Sequence, residues 1–348
     1  MREAGSNILL KLRNPKVVNG IGLFLLALVG VWLLVNFIKG PAEFVNVALD
    51  GLTRGSIYGV VALGYTLVYG ILQLINFAHG DVFSLSGLVA STVLLTVLGL
   101  DASSSNLVVV GGIVLTLAIT IPLFAIFNAA IERVAYRPLR NAPRLTPLIT
   151  AVGMSFIVSN ISLALYGVDY ESGSELLPQG AAFTIGDIRV TWKLIFALAI
   201  IVPTLVALNW FVGYTRQGKA MRAVAQDTEA SAMMGINVNR TISVTFFIAG
   251  SLAAVAGLVF LLEYNIRYDT GFELGLIAFT AAVLGGIGNL AGAVVGALVI
   301  GFVQSFNEGL TWLAPGGDWT RSIVFGILIA VLVFRPEGIL GEQTPEGA

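Results

Sequence analysis

Long apolar runs separated by short polar segments dominate the chain. They extend over Val18 to Ile38, Val47 to Leu72, Val82 to Leu98, Leu107 to Ile131, Pro147 to Tyr166, Trp192 to Val212 and Ile242 to Leu262, with shorter ones over Leu274 to Ile287, Ala291 to Phe306 and Trp319 to Phe334. Backbone polar groups in lipid must be satisfied inside helices or closed barrels, and barrel strands alternate apolar and polar residues instead of running unbroken. Unbroken runs of this length predict helices, each spanning the hydrocarbon with about 20 residues. The expected fold is therefore an all-α polytopic membrane protein with about ten transmembrane helices, some of them short or broken.

Two hairpins depart from this pattern because glycine and polar residues interrupt the apolar sequence: Tyr69 to Asp81 (YGILQLINFAHGD) and Leu284 to Gly292 (LGGIGNLAG). Non-helical backbone at membrane depth is tolerated where protein buries it or where it lines a cavity, and paired broken segments in two halves point to a pathway. That makes Asn76, His79, Gly285, Gly286 and Gly288 candidates for a translocation path, and the two breaks candidate marks of an internal repeat. Two ordinary tight turns at the membrane surface explain the same pattern equally well. The spacings Gly288/Gly292 and Gly292/Gly296 allow close helix approach. With 40 glycines in the chain such spacings are frequent, so they name no partner.

Composition sharpens the class. The chain is 57% hydrophobic and 11% charged over 348 residues, against about 25% charged in a soluble domain, which leaves little chain for soluble chemistry. That chemistry is expected in partners. The absence of cysteine and the single histidine, His79, remove disulfides, thiolate nucleophiles and most metal clusters. No cofactor bound by this chain and no nucleic-acid partner are expected.

Charge sets orientation. Basic residues concentrate on the cytoplasmic side. Ten spans put Arg2, Lys11, Arg13, Lys16, Arg133, Arg137, Arg140, Arg144, Arg216, Lys219, Arg222, Arg240 and Arg335 in the alternate segments that would lie inside, most of the 19 Lys and Arg. A multi-pass protein of the cell membrane with both termini cytoplasmic is expected. The first run is long and lacks a small-x-small cleavage site, which favours a retained helix over a signal peptide. The expected organisation is a tail and extra helix over 1–42, a permease domain over 43–341 and a C-terminal tail over 342–348.

The most polar stretch between two spans is Gly218 to Arg240, GKAMRAVAQDTEASAMMGINVNR. As a helix it puts Lys219, Arg222, Gln226 and Glu229 on one stripe. Asp227 or Thr228 is suited to cap a second short helix and Gly235 to end it. Such a segment is suited to lie on the membrane surface and dock into another protein. GYTRQGKA (Gly213 to Ala220) falls one residue short of a P-loop, and Ala220 replaces the magnesium-binding hydroxyl, which argues against nucleotide binding.

Other polar residues carry weaker signals. His79 and Asp81 are two apart and do not face each other on a helix, and no serine or second histidine completes a hydrolase pattern; a hydrogen-bonded interfacial His79 is favoured over a pathway role. Asp50 and Arg54 are spaced to pair at i and i+4. Asn128 and Asn160 are explained as readily by interhelical hydrogen bonds as by solute contact. An intramembrane enzyme would need a catalytic constellation that the spans do not offer, and a passive channel would need no docking segment.

Five collinear blocks carry a resemblance: ALGYTLVYGILQLINFAHGDVFSLSG (Ala62 to Gly87), IERVAYRPLRNAPRLTPLITAVGMS (Ile131 to Ser155), Gly218 to Arg240, FTAAVLGGIGNLAGAVVGALVIG (Phe279 to Gly301) and RPEGILG (Arg335 to Gly341). Together they resemble the LivH-type permease of branched-chain amino acid ABC importers, from about Phe44 to Gly341. The resemblance implies a membrane dimer with a second, LivM-like permease subunit, two cytoplasmic ATPase subunits that carry ATP and magnesium, and an extracytoplasmic solute-binding protein. It implies an ATPase-coupling role for Lys219, Arg222, Asp227, Glu229, Ala230 and Gly235, with Glu229-Ala230-Ser231-Ala232 and Gly235 matching best. Branched-chain or other neutral amino acids are the implied cargo; urea and short-chain amides, carried by close relatives of that family, are the alternative.

Overall fold

The computed structural model describes residues 15–140, 142, 143, 145–335 and 337–341. Arg2, Lys11, Arg13, Arg144 and the 342–348 tail lie outside the described residues. Helix α1 (Pro15–Lys39) is followed by α2 (Pro41–Leu72), α3 (Ala78–Ser91, continued by a π-helical turn Thr92–Val97) and α4 (Asn106–Ile131, continued by a π turn Glu132–Tyr136 and a 3-10 turn Arg137–Leu139). After α5 (Leu145–Tyr166), a hairpin of β1 (Ala181–Ile185) and β2 (Ile188–Thr191) precedes α6 (Trp192–Tyr214). Short α7 (Arg216–Gln226) and α8 (Thr228–Met233) lead to α9 (Val238–Glu263), α10 (Thr270–Gly285), α11 (Leu290–Gly309) and α12 (Thr320–Phe334).

Among the described residues, nine helical segments are long and apolar enough to cross a membrane, and the shorter apolar α10 makes a tenth. The polytopic helical fold follows as expected, because lipid forces each apolar run to satisfy its own backbone. The β hairpin was not expected from the apolar pattern. Its strands pair antiparallel across Gly186-Asp187, with Gly186 at φ +62, and Asn46 of α2 pins it by donating to Asp187 O (3.1 Å) and accepting from Arg189 N (2.8 Å).

Every span is apolar, so apolarity does not decide which ones are central. Small residues do. α2 and α9 each have 78% of their most apolar window buried and α3 72%, against 6% for α1 and 11% for α12. Gly301 of α11 lies on the backbone of Gly55 in α2, and Gly257 of α9 lies on Phe83 and Gly87 of α3, so closely that a Cβ at either would collide with main chain. α1 touches the rest mainly near one end, where Trp32 Nε1 and Asn36 Nδ2 donate to Trp312 O (3.0 and 3.2 Å).

The bundle has two distinct ends. One carries the β hairpin; the other, the basic end, carries α7, α8 and both helix breaks. At the hairpin end the expected Asp50–Arg54 pair is not formed. Arg54 instead pairs with Glu308 of α11, which also accepts from Gln304 Nε2 and Thr320 Oγ1, both at 3.0 Å. The α2–α11 packing brings a carboxylate across the helix boundary, already held by two further donors, and this outcompetes the same-helix partner.

Candidate functional site

The first break lies between α2 and α3. Gln73 ends α2 in the left-handed region (φ 52), its N–H bonding Tyr69 O at 2.7 Å. The Asn76 carbonyl accepts from His79 N (3.1 Å) and starts α3. Asn76, His79 and Asp81 are buried, the last two completely. Residues far away in sequence surround them: Tyr136 donates to Asn76 Oδ1 (2.7 Å), Ser155 of α5 donates to Asp81 Oδ2, and the Tyr65 ring meets His79 edge-on at 5.0 Å between centroids. Gly64 leaves the slot that the imidazole fills.

This cluster is under-satisfied. Asn76 Nδ2, both nitrogens of His79, Asp81 Oδ1 and the nearby Thr66 Oγ1 are buried without a hydrogen-bond partner; the Val61 backbone comes near His79 without forming a good bond. The expectation of a hydrogen-bonded histidine at the membrane interface is thus not met. The ring sits in the protein interior because α3 is buried along nearly its whole length, and Gly64 leaves it room. As expected, His79 and Asp81 do not pair with each other.

The second break is built from main chain. Gly286 (φ +104) and Gly288 (φ +98) turn the chain between α10 and α11. Asn289 caps α11 by accepting from Gly292 N at 3.0 Å. The last carbonyls of a helix have no partner within it. Here the C-terminal segment supplies them: Ile339 N donates to Leu284 O (2.8 Å) and Leu340 N to Gly285 O (3.0 Å), while Asn289 Nδ2 donates to Leu340 O (2.8 Å). Gly285 lies on the backbone of Gly292, the close approach expected from the glycine spacing. The strap role of Ile339 and Leu340 was not legible in the sequence, because it depends on a partner about fifty residues earlier.

The capping predicted for the polar segment is present. Asp227 accepts from Ala230 N (2.8 Å) and starts α8, and Gly235 follows it at φ +83. Lys219, Arg222 and Gln226 are exposed together on α7, with Met221 and Val224 turned into the bundle. The stripe does not continue to Glu229, because Asp227 in extended conformation breaks the helix and puts Glu229 and Ala230 on α8. Arg222 also has a structural task, donating from Nη1 to the Val212 and Gly213 carbonyls at the end of α6. Met233 and Met234, 77% and 83% exposed, are an apolar projection that sequence analysis missed; two adjacent methionines before a helix-ending glycine in a polar segment were the available signal.

A cavity of about 660 Å³ brings together one residue of each candidate set, Gly288 and Arg222; Asn76, His79, Gly285, Gly286, Lys219, Asp227, Glu229, Ala230 and Gly235 do not line it. Its wall includes Thr66 and Gly70 of α2, Asn209 of α6, Arg222 and Gln226 of α7, and Gly288 of the second break. A void of about 10 Å³ adjoins it, sharing Ile287 with the cavity and lined also by Tyr65, the residue that packs on His79. That is about the room one water needs. Asn128 makes an interhelical bond to Phe246 O (2.7 Å), and Asn160 bonds within its own helix.

Comparison with known proteins gives a family. Residues 47–333 match the sequence profile described as branched-chain amino acid transport system / permease component. The chain is 37% identical over 310 residues to the high-affinity branched-chain amino acid transport system permease protein BraD of Pseudomonas aeruginosa, covering 87% of this chain and 98% of that one. It is 36% identical over 307 residues to LivH of Escherichia coli K12, covering 87% and 97%, and 26% identical over 298 residues to a probable LivH of Methanocaldococcus jannaschii, covering 81% and 88%.

Proposed function

This chain belongs to the family of permease components of branched-chain amino acid transport systems, and from that premise we propose that it forms the membrane pathway of an ATP-driven importer of branched-chain or other neutral amino acids. The observation that carries the reading is the dual position of α7. One side of it lines the 660 Å³ cavity, and the segment it begins exposes Lys219, Glu229, Met233 and Met234 to a partner. A displacement of α7–α8 by that partner would reshape the cavity directly.

In this reading the basic end and both termini face the cytoplasm. Two ATPase subunits dock on α7 and α8 and carry the ATP and magnesium, a solute-binding protein delivers at the hairpin end, and a second, LivM-like permease completes the membrane dimer. The path runs from the buried cluster at Asn76 and His79, past Tyr65 and the small void, to the cavity beside Gly288. Asn76, His79 and Asp81 are buried in this conformation, and in this reading alternating access would expose them by moving one set of helices against another.

The test is uptake into proteoliposomes holding this chain with its co-purified permease and ATPase partners, with binding protein outside and ATP inside. ATP-dependent leucine uptake competed by valine and not by urea is expected. Urea uptake would change the cargo, and solute flux without ATP would overturn the importer reading.

A further inference from the structure

The large cavity has a chemistry of its own. Its 660 Å³ falls within the range of about 300–1,000 Å³ typical of small-molecule sites. Leu67, Ile71, Val212, Met221 and Leu290 give it aliphatic walls. Against them stand a few polar groups. Asn209 is exposed on the otherwise apolar α6, where an amide facing lipid would be costly; lining a cavity gives it a polar surrounding. Gln226 adds a second free amide.

Charge narrows the ligand class. Arg222 is the single cation on the wall, and no carboxylate lines the cavity among the described residues. Its Nη1 is engaged by the α6 carbonyls, while no hydrogen bond among the described residues involves its Nε or Nη2. Two donors of a guanidinium are the usual means of holding a carboxylate. The side-chain oxygens of Asn209 and Gln226, both exposed on the cavity wall, are acceptors for an ammonium group.

The geometry points to this cavity as a binding site, at the basic end, for a zwitterionic amino acid with an aliphatic side chain, occupied by solute on its way out of the permease. The inference rests on the proposed function for cargo and orientation, and adds the site and the residues that hold the solute. The carboxylate lies on Arg222, the ammonium faces the Asn209 and Gln226 amides, and the side chain lies against Leu67, Ile71 and Leu290. Because Met221, Arg222 and Gln226 belong to α7, the segment on which the partner acts also holds the ligand.

The chain has no cysteine, so single thiols report without background. In the assembled complex, in membranes open at the basic end, Ala225→Cys and Ala291→Cys put a thiol on the cavity wall, and Arg133→Cys puts one on an exposed position of the turn after α4, outside it. Millimolar L-leucine is expected to slow labelling by a membrane-impermeant maleimide several-fold at 225 and 291, to leave 133 unchanged, and to lose its effect when Asn209→Leu is added. Urea at the same concentration should protect neither position. Labelling at 225 and 291 that is independent of leucine, in a complex that transports leucine, overturns the site and leaves the importer reading intact. Protection in a complex that does not transport leucine upholds the site and overturns the cargo. Neither protection nor transport overturns both.

Discussion

The two breaks turn an apolar helix back at the same end of the bundle, yet they are made in opposite ways. The second uses glycine and main chain: Gly286 and Gly288 take up the positive φ, and the backbone of Ile339 and Leu340 satisfies the end of α10. The first uses side chains. Gln73 adopts a left-handed conformation without being glycine, and Asn76, His79 and Asp81 are buried under Tyr136 and Ser155 with several polar atoms left unpaired. A buried group without a partner costs about 1–3 kcal/mol, and native proteins keep few of them. The second break has its hydrogen bonds made by main chain, whereas the first leaves Asn76 Nδ2, both His79 nitrogens and Asp81 Oδ1 without a partner among the described residues.

The comparison breaks most visibly if the second break tolerates bulk. Gly285 lies on the backbone of Gly292, which cannot yield as a side chain does, so Gly285→Val should cost at least about 3 kcal/mol, the upper part of the overpacking range, and abolish recovery of folded protein from membranes. A normal Tm in detergent would show that α10 and α11 are not held by that contact. Next comes the strap. Ending the chain at Arg335 removes three hydrogen bonds to the second break, each worth about 1 kcal/mol. Tm should fall, and amide exchange should rise over 284–292 and not over 73–81. Equal deprotection of both breaks would mean that they form one unit.

How much of this was legible follows from distance along the chain. The ten helices were readable because each apolar run answers to lipid alone. Local capping was readable too: Asp227 and Gly235 do what their residue types favour within a few positions. The β hairpin carried a signal, the two-residue Gly186-Asp187 between Ile185 and Ile188, overlooked because it lies outside the apolar runs. The true start of α10 at Thr270, ahead of the expected Leu274, is polar sequence shielded by protein: Gly271 packs on Gly80 and Asp81. Partners remote in sequence were not readable. Glu308 is 254 positions from Arg54, so spacing could offer only Asp50, and nothing near Asp81 points to Ser155.

Two smaller perturbations test whether the first break is held by side chains. Gly64→Ala would put a methyl group into the imidazole of His79, at a cost of about 1–3 kcal/mol. Because the obstacle is a side chain, His79→Asn should relieve it, and the double variant should recover at least about 1 kcal/mol relative to additivity. No such partner exists for Gly285→Val, whose obstacle is main chain. Additive losses in the Gly64/His79 cycle, read as Tm shifts in detergent, would remove the basis for treating the breaks differently. The smallest effect has the opposite sign. Gln73 sits at φ 52 on an exposed turn, a conformation that costs a residue with a Cβ about 1–2 kcal/mol. Gln73→Gly removes that strain but gives the unfolded chain more freedom, an opposing term of about 0.4–1 kcal/mol. The net should be a gain between about zero and about 1.6 kcal/mol, the difference of those two terms, seen as a slightly raised Tm with uptake unchanged. A lowered Tm would mean that the Gln73 side chain itself holds the turn, and the first break would then depend on side chains even at its exposed tip.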